Sequence, residues 1–206
     1  MKKYLQYWDE LFPKPTTELN FSNNFELLIA VLLSAQCTDK RVNSVTKNLF
    51  KKYKTAQDFL NLGQQELEKE IYSCGFYRKK AKSIIDLSRK IIEKYDGKVP
   101  NTIEELKTLN GIGQKTASVI FSIGFGGDAL AVDTHVFRVS KRLGFSDAKN
   151  VKKCEEDLKN LIDKSLWSKI HSQMVLFGRY YCKARSPKCE NCKLQKICKY
   201  KLEQNK

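Results

Sequence analysis

Four prolines and ten glycines are few for 206 residues, so little in this chain interrupts regular structure, and no period-two alternation competes with helix. Long apolar runs are missing too. The longest uncharged one, Leu27 to Ala35, has nine residues, against the roughly 20 needed to span a bilayer. The start, Met1-Lys2-Lys3-Tyr4, is followed by no apolar signal core, because Asp9 and Glu10 interrupt it. Repeats and low-complexity tracts are absent. Seven cysteines cannot all pair, which argues against a disulfide framework. Together these absences exclude membrane-spanning, secreted, repetitive and β-rich classes, and predict a soluble, intracellular, all-α protein of one large or two small domains.

What is present fits helices. Val42, Val45 and Leu49 recur at three- and four-residue spacing, as do Ile84, Ile85, Leu87 and Ile91. The stretch from Phe25 to Leu33 is apolar on all sides and predicts a central buried helix, with Thr38 or Asp39 capping the next one. Pro13 and Pro15 end a short N-terminal helix. Thr102 followed by Glu105 reads as a capping box after Pro100, so a helix is expected from about residue 103 to the Asn110-Gly111 turn.

Basic residues outnumber acidic ones 38 to 23, a net charge of +15. That excess points to a polyanionic partner, nucleic acid first. It is clustered: Arg78, Lys79, Lys80, Lys82, Arg89, Lys90 and Lys94 form one group. Another is Arg179, Lys183, Arg185, Lys188, Lys193, Lys196, Lys199 and Lys201. Either alone suits a solvated helix face; together they suit a surface that follows phosphates.

The second group surrounds Cys182, Cys189, Cys192 and Cys198, separated by six, two and five residues. Four thiolates can hold zinc or an iron-sulfur cluster. Zinc sites usually pair two short steps across a longer loop, whereas a cluster tolerates irregular steps because each thiolate binds a different iron. The spacing favours the cluster.

Between the charge groups lies Leu109-Asn110-Gly111-Ile112-Gly113-Gln114-Lys115-Thr116-Ala117, which reads as a helix-hairpin-helix. Its two glycines let the turn expose backbone N–H groups at a helix N-terminus, where a phosphate can sit. Lys115 falls in the first turn of the second helix. It could serve there as a nucleophilic amine or as one more phosphate contact. Eighteen residues on, Asp133 in Val132-Asp133-Thr134-His135-Val136 is expected at a helix start, where its simplest role is an N-cap.

These motifs, in this order and at these intervals, resemble the endonuclease III family of the helix-hairpin-helix DNA glycosylase superfamily. Pro15-Thr16-Thr17-Glu18-Leu19-Asn20-Phe21 and Leu32-Leu33-Ser34-Ala35-Gln36 extend the likeness over nearly the whole chain. The resemblance implies an all-α fold of two domains with the active site in the cleft between them. A six-helix barrel carrying the hairpin would span residues 20–127, and an iron-sulfur domain residues 1–19 and 128–206, with its cluster loop at 182–198. It further implies a bifunctional DNA N-glycosylase and abasic-site lyase of base-excision repair, a monomer, cytoplasmic and nucleoid-associated in a bacterium. The substrate would be double-stranded DNA with oxidised pyrimidines or abasic sites.

By the same resemblance Lys115 forms a Schiff base and Asp133 stabilises the cationic sugar, while His135 is given no catalytic part. Gln36 and Phe76 fill the space left by the extruded nucleotide, although Phe76 could equally be a core aromatic. Gly111 and Gly113 bind phosphate through backbone amides. Cys182, Cys189, Cys192 and Cys198 hold a [4Fe-4S] cluster, and Lys183, Arg185 and Lys188 of its loop reach DNA phosphates. Asn110 and Gln114 stand where the family often has proline and arginine, so a slightly looser turn and one fewer phosphate contact are expected. Two alternatives are a monofunctional enzyme like mismatch adenine glycosylase and a non-catalytic iron-sulfur DNA-binding module. The first would have a glutamate where this chain has Ala30, no lysine at position 115, and a further domain beyond Cys198. Ala30 and Lys115 argue against the first, and Lys115 with Asp133 against the second.

Overall fold

The computed structural model describes residues 1–204, which form eleven α-helices and one 3-10 helix with no strand among them. The chain divides into two compact units, Glu18–Phe125 and Met1–Thr17 with Gly126–Lys206.

The first unit contains α2 (Asn24–Ser34), α3 (Asp39–Lys52), α4 (Ala56–Glu70), α5 (Tyr77–Tyr95), α6 (Ile103–Leu106) and α7 (Gln114–Phe125). Helix α2 is buried from Phe25 through Leu33 and packs against α3, α5 and α7, as expected of a helix that is apolar all round. Its one charged residue in that stretch, Glu26, is buried with its carboxylate accepting the N–H and hydroxyl of Ser22 at 2.6 and 2.8 Å. Thr38 caps α3 by accepting the Arg41 N–H. Helix α4 bends at Gly63, whose φ of 75° is non-helical. The apolar face foreseen on α5 is real: Ile84, Ile85, Leu87 and Ile91 are all buried.

Helix α6 corrects the sequence expectation. Thr102 caps it as foreseen, accepting the Glu105 N–H at 3.2 Å. The Glu105 carboxylate, however, accepts from the Thr102 hydroxyl, so the reciprocal half of a capping box is missing. The helix ends at Leu106, four residues short of Asn110. Turn bonds from Thr108 to Glu105 and from Leu109 to Leu106 take over. The cap specifies where a helix starts but not how far it runs.

The second unit comprises α1 (Lys2–Leu11), α8 (Thr134–Leu143), α9 (Val151–Leu161), the 3-10 helix Lys164–Leu166, α10 (Trp167–Tyr180) and α11 (Lys199–Gln204). Helix α8 is its centre and packs on α9, α10 and α11. The core gathers Trp8, Val136, Val139, Cys154, Leu158, Ile170, Met174 and Phe177. Helix α1 docks through Asp9, which accepts from Lys169 and Gln173, both at 2.7 Å. The lysine bond holds the Asp9 carboxyl below its usual range. No helix among the described residues is long and apolar enough to cross a membrane.

Candidate functional site

The turn between α6 and α7 is compact because Gly111 allows it. Its φ is +82°, and a Cβ there would lie 3.1 Å from the Ser83 Cβ and 3.3 Å from the Leu32 Cδ1, so only glycine lets the hairpin press against α5 and α2. Gly113 has open space around it. The loosening expected from Asn110 is countered: its side-chain amide donates to Asp86 of α5 at 2.9 Å. Helix α7 then starts at Gln114, and Lys115, its second residue, is exposed. The N–H groups of such a first turn have no intrahelical acceptor and point outward, which with the dipole makes an anion site.

Beside the hairpin, an open surface hollow is lined by Leu32, Ala35, Gln36, Phe76, Lys79, Lys80, Ser83 and Gly111. It brings together Gln36, Phe76 and Gly111 but takes in neither Lys115 nor Gly113. Phe76 is 65% exposed, so it is not a core aromatic. Gln36 and Phe76 both have left-handed backbone, φ 53° and 59°, a conformation non-glycine residues rarely adopt. Sequence reasoning missed Lys80. It is the one lysine or arginine buried among the described residues, and its ammonium donates to the Leu33 carbonyl at 2.9 Å. Burial pulls its pKa down, opposed by the thiols of Cys74 and Cys37. Cys74 is itself pushed up to about 11, by burial first and then by Cys37.

In the other unit Asp133 is the N-cap of α8, its Oδ1 accepting the Val136 N–H at 2.8 Å. His135 Nδ1 lies 3.2 Å from Arg138 Nη2. Arg138 and Arg142, one turn apart on α8, were also missed, and they hold the cysteine loop. Arg138 donates to the carbonyls of Cys182 at 3.1 Å and Gly178 at 2.7 Å. Arg142 donates to those of Lys183 at 2.6 Å and Ala184 at 3.1 Å. Loop residues Lys183, Arg185 and Lys188 are exposed, with Lys188 over the Tyr181 ring at 5.3 Å.

Cys182, Cys189, Cys192 and Cys198 line one recess, together with Leu143, Phe177 and Tyr181. None is in a disulfide. Burial pushes the thiols of Cys192 and Cys198 up, and the neighbouring thiols add to this. Four soft donors packed so need cations to ionise together. Four thiols around one recess are a donor set that suits an iron-sulfur cluster, in which each thiolate has its own iron.

Comparison with known proteins agrees. Residues 29–164 match the family model of the HhH-GPD superfamily base excision DNA repair proteins, and residues 182–198 that of the iron-sulfur binding domain of endonuclease III. The chain is 51% identical to endonuclease III of Bacillus subtilis over 191 residues, 92% of this chain and 87% of that one. It is 44% identical to endonuclease III of Escherichia coli K12 over 189 residues, 92% and 90% of the two chains. A solved structure of a trapped endonuclease III-DNA covalent intermediate superposes with a TM-score of 0.92 at 47% identity, covering 100% of this chain and 99% of that one. A thermostable thymine-DNA glycosylase shares the fold, with a TM-score of 0.88 at 24% identity over 98% and 96%. With a hairpin opening α7 and a [4Fe-4S] cluster for its four C-terminal cysteines, the chain belongs to the endonuclease III family of HhH-GPD base-excision repair enzymes, the DNA glycosylases that are also abasic-site lyases.

Proposed function

We propose that Lys115 is the nucleophile and Asp133 the charge-stabilising carboxylate of a reaction on oxidised pyrimidines in duplex DNA. The observation that carries this reading is the placement of Lys115: an exposed amine at the second position of α7, directly after the hairpin. A phosphate held on the hairpin amides would bring the neighbouring sugar near that amine.

A stacked base hides its glycosidic carbon, so the nucleotide must first rotate out of the duplex, at a cost of a few kcal/mol that damage lowers. Gln36 and Phe76, exposed at the rim of one hollow, fill the space it leaves. The neutral Lys115 amine then attacks C1′, and the base departs with the bonding pair and takes up a proton. The Asp133 carboxylate stabilises the positive charge on the sugar. Opening of the sugar gives an imine between Nζ and C1′, which acidifies the 2′ proton. Loss of that proton expels the 3′ phosphate, and water releases the lysine.

The [4Fe-4S] cluster would be held by Cys182, Cys189, Cys192 and Cys198, and it supplies structure: it closes the loop that presents Lys183, Arg185 and Lys188 to phosphates. The domain division proposed from sequence, residues 20–127 against 1–19 and 128–206, assigns hairpin and plug to one domain and Asp133 and cluster to the other. The enzyme works as a monomer in a bacterial cytoplasm, at the nucleoid.

The test is borohydride trapping. Lys115→Gln should abolish both the trapped adduct and strand cleavage while still binding an abasic-site duplex, because backbone amides and not the amine hold the phosphate. Undiminished trapping would assign the nucleophile to another residue.

A further inference from the structure

Two of the four non-glycine residues with positive φ among the described residues are Gln36 and Phe76, the pair assigned above to fill the DNA. Such backbone persists only where its surroundings hold it. The chain segments carrying them approach closely: a Cβ on Gly75 would lie 3.3 Å from the Gln36 carbonyl oxygen. One residue bonds to both segments. The Lys80 backbone N–H donates to the Phe76 carbonyl at 3.0 Å, and its side-chain ammonium donates to the Leu33 carbonyl at 2.9 Å, three residues before Gln36.

We propose that Lys80 is a positioning residue for nucleotide extrusion, a strut between α5 and the end of α2 that sets the spacing of Phe76 and Gln36. This rests on the reading that those two residues plug the duplex. The chemistry suits the task. Leu33 lies in the last turn of α2, where carbonyls lack intrahelical partners and the dipole favours a cation. A buried ammonium tolerates its desolvation only if bonded, so its bond has a fixed place. The burial that lowers the Lys80 pKa agrees with this geometry. Lys79, exposed on the same hollow, has no comparable bond to Leu33 and is left to solvent or phosphate.

A strut of this kind predicts a split that general destabilisation does not produce. Lys80→Met keeps the apolar stem and removes the ammonium. Single-turnover excision of thymine glycol from duplex DNA should fall about tenfold to a hundredfold, the scale of an ångström-sized misplacement. Schiff-base trapping on an abasic site in single-stranded DNA, where there is no stack to plug, should stay within about twofold, a tolerance well below that scale. In a double-mutant cycle Lys80→Met should add little to Gln36→Ala, since both remove one function.

Equal losses on the two substrates, an unchanged duplex rate, or full additivity with Gln36→Ala would overturn the inference. If Gln36→Ala and Phe76→Ala themselves leave duplex excision unchanged, the plug reading fails, and the strut with it. If they impair it and Lys80→Met does not, the strut alone fails. Should the methionine variant not fold, Lys80→Gln, with a donor on a shorter stem, carries the same comparison with the same criteria.

Discussion

The Asp133 carboxylate accepts the Val136 N–H at 2.8 Å and caps α8, so lost activity in an alanine variant would not tell a broken cap from lost chemistry. Asparagine separates the two, being as good an N-cap as aspartate while carrying no charge. Asp133→Asn should therefore melt close to the parent yet excise bases slowly. Asp133→Ala should in addition lose about 1 kcal/mol of stability. Thermal melts beside single-turnover excision decide this, and wild-type turnover in the asparagine variant would reduce Asp133 to a cap. The N-cap reading and the catalytic reading do not exclude each other, because a carboxylate that accepts one N–H keeps spare lone pairs. Phe76 was undecidable from the sequence because an N-cap residue outside the apolar period gives no burial signal. Lys80 did carry one: it leads the series Ile84, Leu87, Ile91 at helical spacing, which places it on the core face, but its charge grouped it with the solvated lysines. Its acceptor, 47 residues away, could not be read from spacing.

At the scale of elements, the hairpin offers a comparison between its glycines. Gly111 has positive φ and neighbours at 3.1 to 3.3 Å, whereas Gly113 has neither. Gly111→Ala should destabilise the protein by more than about 1 kcal/mol, from left-handed strain together with crowding against Ser83 and Leu32. Gly113→Ala should fold normally and lose DNA affinity, because a methyl group there would hinder the approach of a phosphate to the backbone. Urea melts and binding titrations check both; normal affinity in Gly113→Ala would take that amide out of the phosphate site. Helices with strong periodicity, α2 and α5, were legible because burial imposes the pattern. The four-residue α6 was overextended, since a helix that short owes its end to tertiary packing that leaves no periodic trace. The cysteine spacing announced the cluster loop. The arginines of α8 that fasten it were hidden, because they bond to carbonyls and a carbonyl has no side-chain signature.

Over the whole molecule, a net charge of +15 ensures that affinity for DNA falls with salt, and the question is which residues set the slope. Lys183, Arg185 and Lys188 are exposed on a loop that is held by other groups, namely the cysteines and the carbonyl bonds from Arg138 and Arg142. Replacing all three with alanine should therefore leave the loop and the cluster absorbance intact. It should weaken damaged and undamaged duplexes alike, since phosphates carry no base information. Each lost contact should lower the slope of log K against log salt by up to about 0.9. The purine or pyrimidine opposite the lesion should not alter that change. Removing the cluster should differ in kind: without its closing ligands the loop loses its shape, so affinity, slope and folding of that unit decline together. Titration across a salt series, with visible absorbance recorded on the same samples, separates the two cases. An unaltered slope with the cluster intact would mean that these three side chains are merely solvated, and that the salt-sensitive contacts come from the basic cluster on α5 and the hairpin amides.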